Sequence, residues 1–247
     1  MHNTEEKNYI FGIRAIIEAV EAGKTIDKLF IQKGLHNDLF AELWKLVREK
    51  RINYKHVPLE KINRLTRKNH QGVFAFISPI DFHNIEDVIP KLYEEGKNPL
   101  VLVLDRITDV RNFGAIARTA ECAGVDTILI PEQNAAAINA DAIKTSAGAL
   151  HKVTVCRTWN LKLALQFMKE SGVQLIGCTE KTQDNMYKAD YTTPTAIIIG
   201  SEEDGVSPEF LKMCDSRAKI PMNGKIASLN VSVATGVILY EALRQRG

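Results

Sequence analysis

LVLVLDRITDVRNFGAIARTAECAGVDTILI, residues 100–130, decides the fold. It opens on five consecutive apolar residues, Leu100 to Leu104, and closes on Thr127 to Ile130, with an alanine-rich helical stretch between them. An unbroken apolar run marks a strand buried on both faces, and two such runs joined by a helix pair in parallel. The alternation continues through Val153 to Cys156, Leu175 to Cys178 and Ala196 to Ile199, with helices fitting between most of these strands. The second part of the chain is therefore expected to be α/β, a mostly parallel sheet with helices on both faces. In such sheets ligands bind beyond the carboxyl ends of strands, so the loops after these runs are where chemistry is sought.

Upstream lies a different, smaller α/β pattern. A stripe at Ile13, Ile16, Ile17 and Val20 predicts a helix ending at Gly23, and Leu29 to Ile31 a strand. Leu39, Leu43, Leu46 and Val47 mark a second helix, followed by strands at Tyr54 to Val57 and Val73 to Ile77. Ser78-Pro79 and the polar residues after it read as a linker, and Ile85 to Tyr93 as a helix stopped by Glu-Glu-Gly-Lys-Asn-Pro at 94–99. The expected division is a domain at 1–80, a linker and helix at 81–96, and a second domain at 97–247.

Composition narrows the function classes. Hydrophobic residues make up 45 % and charged residues 25 %, enough apolar material for a packed core. No stretch of eighteen apolar residues occurs, and Met1 to Tyr9 is polar without a signal-peptide pattern, so the expectation is a cytoplasmic protein with no membrane partner. Cys122, Cys156, Cys178 and Cys214 are widely spaced and the six histidines scattered, giving no support for a metal site. Residues 1–80 hold 14 Lys and Arg against 9 Asp and Glu, a basic excess that suits a phosphate backbone or, equally, an exposed helix face.

Three segments carry the chemistry. In the first, Asp109 to Ala120, Asn112 is a candidate helix N-cap, Ala115, Ala117 and Ala120 keep the helix slim, and Arg118 lies two turns in with a side chain long enough to fold back. In the second, Thr195 to Pro208, Gly200 and Gly205 imitate a phosphate loop, yet Val206 replaces the required Lys and three consecutive acids would repel a triphosphate. That loop better suits a cationic sulfonium or the grip of an arginine. In the third, Ala218 to Glu241, a strand ends at Pro221, Asn223-Gly224 turns, and Ser228 is the expected start of a long helix. Taken singly, Arg118 reads equally as a surface residue, and Ser228 and Asn230 as caps.

Together the segments resemble the SpoU (TrmH) branch of the SPOUT RNA methyltransferases. The resemblance rests on N-x-G-x-x-x-R-x-A at 112–120, G-x-E-x-x-G at 200–205 and I-P-M-x-G-x-x-x-S-L-N-V-S-V-A at 220–234. It covers about 97–247, while 8–78, with His70-Gln71-Gly72, is similar to the family's small L30-like substrate-binding domain. The resemblance implies a C-terminal trefoil knot, S-adenosylmethionine as cofactor, and methylation of a ribose 2′-hydroxyl in structured RNA, a guanosine of 23S ribosomal RNA first. It assigns Asn112, Arg118, Glu202, Ser228 and Asn230 to catalysis, and Thr179, Gly200, Ile220, Met222 and Leu229 to the cofactor. It also implies a homodimer with a site built across two chains. Arg64, Arg67, Lys68 and Arg111 are expected to contact RNA. The competing expectations are a tRNA substrate, methylation of a base, or a non-catalytic RNA-binding protein of ribosome assembly.

Overall fold

The computed structural model describes residues 9–226 and 228–247, arranged as two compact units, 1–81 and 82–247. In the first, β1 (Tyr9–Phe11), α1 (Ile13–Glu21), β2 (Ile26–Gln32), α2 (Asp38–Glu49), β3 (Tyr54–Val57), α3 (Leu59–Leu65) and β4 (Val73–Ile77) follow one another. The sheet order is β1-β4-β2-β3, with β2 and β3 parallel and β4 antiparallel to β1 and β2. The stripe Ile13, Ile16, Ile17 and Val20 is buried on α1 as its spacing predicts, against Leu29, Ile31, Val73 and Ala75 of the sheet and Leu43 and Val47 of α2. On the opposite face Phe30, Phe74 and Val57 form a smaller cluster with Ile62 of α3.

Gly12, the N-cap of α1, has no side chain to offer, and Gln71 supplies the missing acceptor by taking a hydrogen bond from the Ile13 N–H at 3.0 Å. Gln71 reaches it from a left-handed backbone (φ 51°) in the turn His70-Gln71-Gly72, where a Cβ on Gly72 would lie 2.9 Å from Gln32 Oε1.

The second unit runs α4 (Ile85–Glu94), β5 (Leu100–Leu104), α5 (Val110–Cys122), β6 (Thr127–Pro131), α6 (Ala140–Thr145), β7 (Thr154–Thr158), α7 (Leu161–Glu170), β8 (Gln174–Cys178), β9 (Thr195–Ile199), α8 (Pro208–Met213), β10 (Ser216–Ala218) and α9 (Val231–Arg246). All six strands are parallel, in the order β10-β8-β9-β5-β6-β7. Val101 and Val103 of β5 pack with α4, α7 and α8, whose Ile89, Leu165 and Phe210 belong to the same cluster. The alternate residues Leu100, Leu102 and Leu104 point the other way, toward the side covered by α5, α6 and α9. This is the α/β sheet flanked by helices that the apolar runs predict. Within the stretch read as linker and helix, α4 places Ile85, Ile89 and Leu92 in the core of this second unit.

Two helix starts differ from the reading of the sequence. Asp109, not Asn112, caps α5, accepting from the Asn112 N–H at 2.7 Å, so Asn112 is the third helical residue. Likewise α9 begins at Val231 with Asn230 as its cap, whereas Ser228 lies in the preceding loop. Each segment carries two cap-forming residues a few positions apart, Asp109 and Asn112 in the first and Ser228 and Asn230 in the third.

Candidate active site

The order in which strands are added to the sheet reverses between β5 and β9. From β5 the chain moves outward through β6 and β7, and it returns on the other side through β8, β9 and β10, so the loops after β5 and β9 flank the seam where α/β sheets bind ligands. Two adjoining cavities open there, of about 460 and 310 Å³, sharing Ser201, Glu202, Glu203 and Val231.

Close packing makes the loop after β9. A Cβ on Gly200 would stand 2.0 Å from the carbonyl carbon of Gly205, so only glycine allows Gly200 and Gly205 to pass. The Gly205 N–H donates to the Ser201 carbonyl and closes the turn. Arg106, held at φ 60° in the loop after β5, then clamps it from outside. Its Nη1 donates to Asp204 Oδ2 at 2.8 Å, its Nη2 to the Gly205 carbonyl at 3.0 Å and its Nε to Asp105 Oδ1 at 3.2 Å. Asp105 is buried and accepts from the Ser207 N–H through its other oxygen, at 2.7 Å. The acidic loop therefore grips an arginine, one of the two roles its charge suggests.

Glu202 stands between the cavities and organises the rest. Its Oε1 accepts from Asn112 Nδ2 at 3.0 Å, from Asn230 Nδ2 at 2.9 Å and from the Val231 N–H at 3.4 Å. Asn230 Nδ2 also donates to Asn112 Oδ1 at 3.1 Å, and Asn230 Oδ1 accepts from the Ser232 N–H at the start of α9. One residue from each of the three sequence segments thus meets at one carboxylate. Since Asp109 takes the capping role, the Asn112 amide is free to do this. Glu202 Oε2 makes no hydrogen bond among the described residues, and so faces the cavities as an open acceptor.

The larger cavity is lined by Thr179, Gly200, Ile220, Met222 and Leu229, together with Ser228, Glu202 and Asn230. Asn112 lines the smaller one beside Thr108 and Asn134. Arg118 lines neither. It is exposed on α5, a turn and a half beyond Asn112, and makes no hydrogen bond or ion pair among the described residues. Arg111 is exposed at the first turn of α5, and Arg64, Arg67 and Lys68 are exposed at the end of α3 and just after it. The reading of the sequence missed Asp105, Arg106 and Asp204, and the paired Arg106 and Asp204 are 98 residues apart in the chain. The cap was there to be found, because Asp109 stands three residues before Asn112, the spacing at which a cap side chain meets a backbone N–H.

The cavity has room for a nucleoside-sized ligand and suits a particular charge. Apolar Ile199, Ile220, Leu229 and Ile238 offer faces for a flat ring, while Glu180, Glu202 and Glu203 set negative charge beside them. Burial pushes the Cys178 thiol far up and the nearby Cys214 thiol up to about 11, so neither is a thiolate nucleophile at neutral pH. No group of His, Cys, Asp and Glu able to hold a metal occurs among the described residues, and no helix among them is long and apolar enough to cross a membrane.

Comparison with known proteins agrees with this geometry. The model of the SpoU rRNA methylase family matches residues 99–240, and that of the RNA 2′-O ribose methyltransferase substrate-binding domain matches residues 9–83. A TrmH family tRNA/rRNA methyltransferase of Bacillus subtilis, YacO, is 31 % identical over 98 % of both chains. Among solved structures, the SpoU methyltransferase AviRb from Streptomyces viridochromogenes, in complex with AdoMet, shares the fold with a TM-score of 0.62 at 24 % identity, over 96 % of this chain and 90 % of that one. A TrmH/SpoU tRNA modifying enzyme of A. aeolicus is 34 % identical over 66 % of this chain and 84 % of its own, with a TM-score of 0.55. The three loops that meet at Glu202 lie within a family match covering more than half of the chain, and the chain belongs to the SpoU rRNA methylase family.

Proposed function

We propose that this RNA methyltransferase of the SpoU family moves the methyl group of S-adenosylmethionine to a ribose 2′-hydroxyl in structured RNA, with a guanosine of 23S ribosomal RNA as first substrate. The observation that carries the reading is the convergence of Asn112, Glu202 and Asn230 between two cavities, one apolar with an acidic edge and one polar. Thr179, Gly200, Ile220, Met222 and Leu229 would hold the cofactor, whose bound sulfonium supplies the electrophilic methyl. A cationic sulfonium fits beside three carboxylates where a triphosphate does not.

The remaining chemistry belongs to the chain. The ribose oxygen must be aligned with the methyl and must lose its proton. Glu202 Oε2 is the open acceptor for that hydroxyl, and Ser228 and Asn230 fix the sugar on the cofactor side. A guanidinium offers hydrogen-bond donors and no acceptor, so Arg118 would stabilise the developing alkoxide rather than take the proton. Because Arg118 is exposed and lines neither cavity of its own chain, it would act in the site of a second copy. Exposed Val233, Tyr240 and Leu243 on α9, which packs beside α5, offer the apolar surface for that homodimer. In this reading the helices of the pair bring two sites together, the loops around residues 200, 220 and 229 form the knot, and the protein works in the cytoplasm where its RNA is.

The test is methylation of ribosomal RNA with labelled cofactor, followed by digestion to nucleosides and mass spectrometry. The expected product is a 2′-O-methylnucleoside, lost on Arg118→Ala; a base-methylated nucleoside would overturn the reading. A tRNA substrate is the second reading, favoured by the 34 % identity to the A. aeolicus tRNA modifying enzyme, and the same assay on tRNA decides between them.

A further inference from the structure

The sheet of the first unit presents an aromatic and basic face that none of the cavity-lining residues above belongs to. Alternation along β1, β4 and β2 puts Tyr9, Phe11, Phe74, Phe76, Phe30 and Lys28 on one side. The registers set Tyr9 beside Phe76 and Phe76 beside Lys28, with Phe11, Phe74, Phe30 and Lys55 as the next row. The rings are in contact. Tyr9 stacks on Phe74 with centroids 5.2 Å apart, and Phe74 meets Phe76 edge to face, also at 5.2 Å. Lys28 and Lys61 stand over Phe30 at 5.7 and 5.0 Å from its centroid.

Burial divides this face into a floor and a surface. Phe30 and Phe74 are buried, whereas Tyr9, Phe11 and Phe76 are only half-buried. Among the described residues α3 joins the cluster through Ile62, and Tyr9, Phe11 and Phe76 pack against it while staying partly exposed. Around them Lys28, Lys55 and Lys61 are exposed, and Arg64, Arg67 and Lys68 continue the positive charge past the end of α3. The acidic residues adjacent in sequence to this group are Asp27, beside Lys28, and Glu60, beside Lys61. A face meant only for packing needs no ring of exposed lysines. Stacked aromatics inside a basic rim are the two things unpaired nucleotides require, a π surface for the base and cations for the phosphate.

We infer that the aromatic face of β1, β4 and β2, rimmed by Lys28, Lys55 and Lys61, binds unpaired nucleotides of the RNA substrate by base stacking on Phe76, Tyr9 and Phe11. This rests on the reading of the chain as an enzyme of structured RNA, and it adds that the first unit selects a single-stranded segment of that RNA. Duplex RNA keeps its base faces stacked on each other and gains nothing from exposed rings.

The experiment uses the full chain with a fluorescent single-stranded RNA of about twelve nucleotides and a blunt duplex of the same length. The wild type is expected to bind the single strand more tightly. Phe76→Leu, which keeps an apolar side chain but removes the ring, should weaken single-strand binding roughly five- to hundredfold, the range for loss of one stacked base. Phe76→Trp should retain it. Lys28→Gln combined with Lys55→Gln should weaken binding and flatten its salt dependence. Thermal melts establish that each variant is folded. Equal affinity of Phe76→Leu and wild type, or tighter binding of the duplex, overturns the inference. Methyl incorporation into ribosomal RNA by the wild type is scored separately, so failure of the functional reading shows as no incorporation, whatever the oligonucleotide result.

Discussion

At the scale of single residues, one carboxylate oxygen holds the site together. Glu202 Oε1 takes three hydrogen bonds from the starts of two helices, α5 and α9, and its removal releases both the Asn112 and the Asn230 amide. Glu202→Ala is expected to lower kcat about a hundredfold, because loss of alignment of that order follows from an ångström of misplacement. Glu202 is exposed, so Tm should hardly move; steady-state kinetics with melting curves check both. Gly200→Ala has the opposite profile. The added methyl meets the Gly205 and Val206 backbone at 2.0 Å, and backbone cannot step aside as a flexible side chain would. Destabilisation of about 1–3 kcal/mol or more is expected, with loss of cofactor binding, read by denaturant titration and calorimetry. A Gly200→Ala variant as stable as wild type would show that the two chain segments of this crossing can part to admit a methyl group.

At the scale of elements, the strands of the large sheet were legible because burial on both faces leaves continuous apolar runs such as Leu100 to Leu104, each matched by an observed strand. The shorter β1 and α3, of three and seven residues, escaped because they hold too few positions to show a period. The starts of α5 and α9 shifted for a different reason: Asp109, Asn112, Ser228 and Asn230 are all good caps, and local sequence does not rank them. Helix ends also carry a testable electrostatic feature. Near the end of α9, Arg244 donates twice to the Glu241 carboxylate at 2.8 Å and Gln245 once, holding that carboxyl down at about 2. A carboxyl lowered from 4.5 contributes stability above that value and loses it as pH falls toward 2. Glu241→Gln should therefore be less stable than wild type at neutral pH, and the two should converge between about pH 4.5 and 2. Melting temperatures across that range provide the measure; a gap that stays constant would place the effect in packing, not charge.

At the scale of the whole molecule, what no local pattern in the sequence carried is how distant pieces meet. The strand order β10-β8-β9-β5-β6-β7 and the clamp of Arg106 on Asp204 both depend on contacts between residues far apart in the chain. The three motif loops could be recognised, yet their meeting at Glu202 shows only in three dimensions. The proposal that Arg118 works in the site of a second copy belongs to the same scale. A helix with apolar residues on all sides asks for cover on all sides, and α9 leaves Val233 at 52 % and Tyr240 at 53 % exposure, seven residues apart on one stripe. Thr119, the neighbour of Arg118, lies against Gly236 on that same helix, so a second copy docked on the stripe would come close to the guanidinium. Light scattering at micromolar concentration is expected to give twice the 27.6 kDa chain mass. Tyr240→Glu, a charge placed at the centre of the stripe, should yield a folded monomer that still binds cofactor but has lost methyl transfer, since each cavity would then lack its arginine. Mixing Arg118→Ala with Glu202→Ala separates this from a simple stability defect. If the two sites are built across copies, mixed dimers unite both defects in one site and leave the other intact, recovering a fraction of wild-type rate. A monomer with full activity, or a mixture no more active than its parts, would return Arg118 to its own chain and remove the need for a pair.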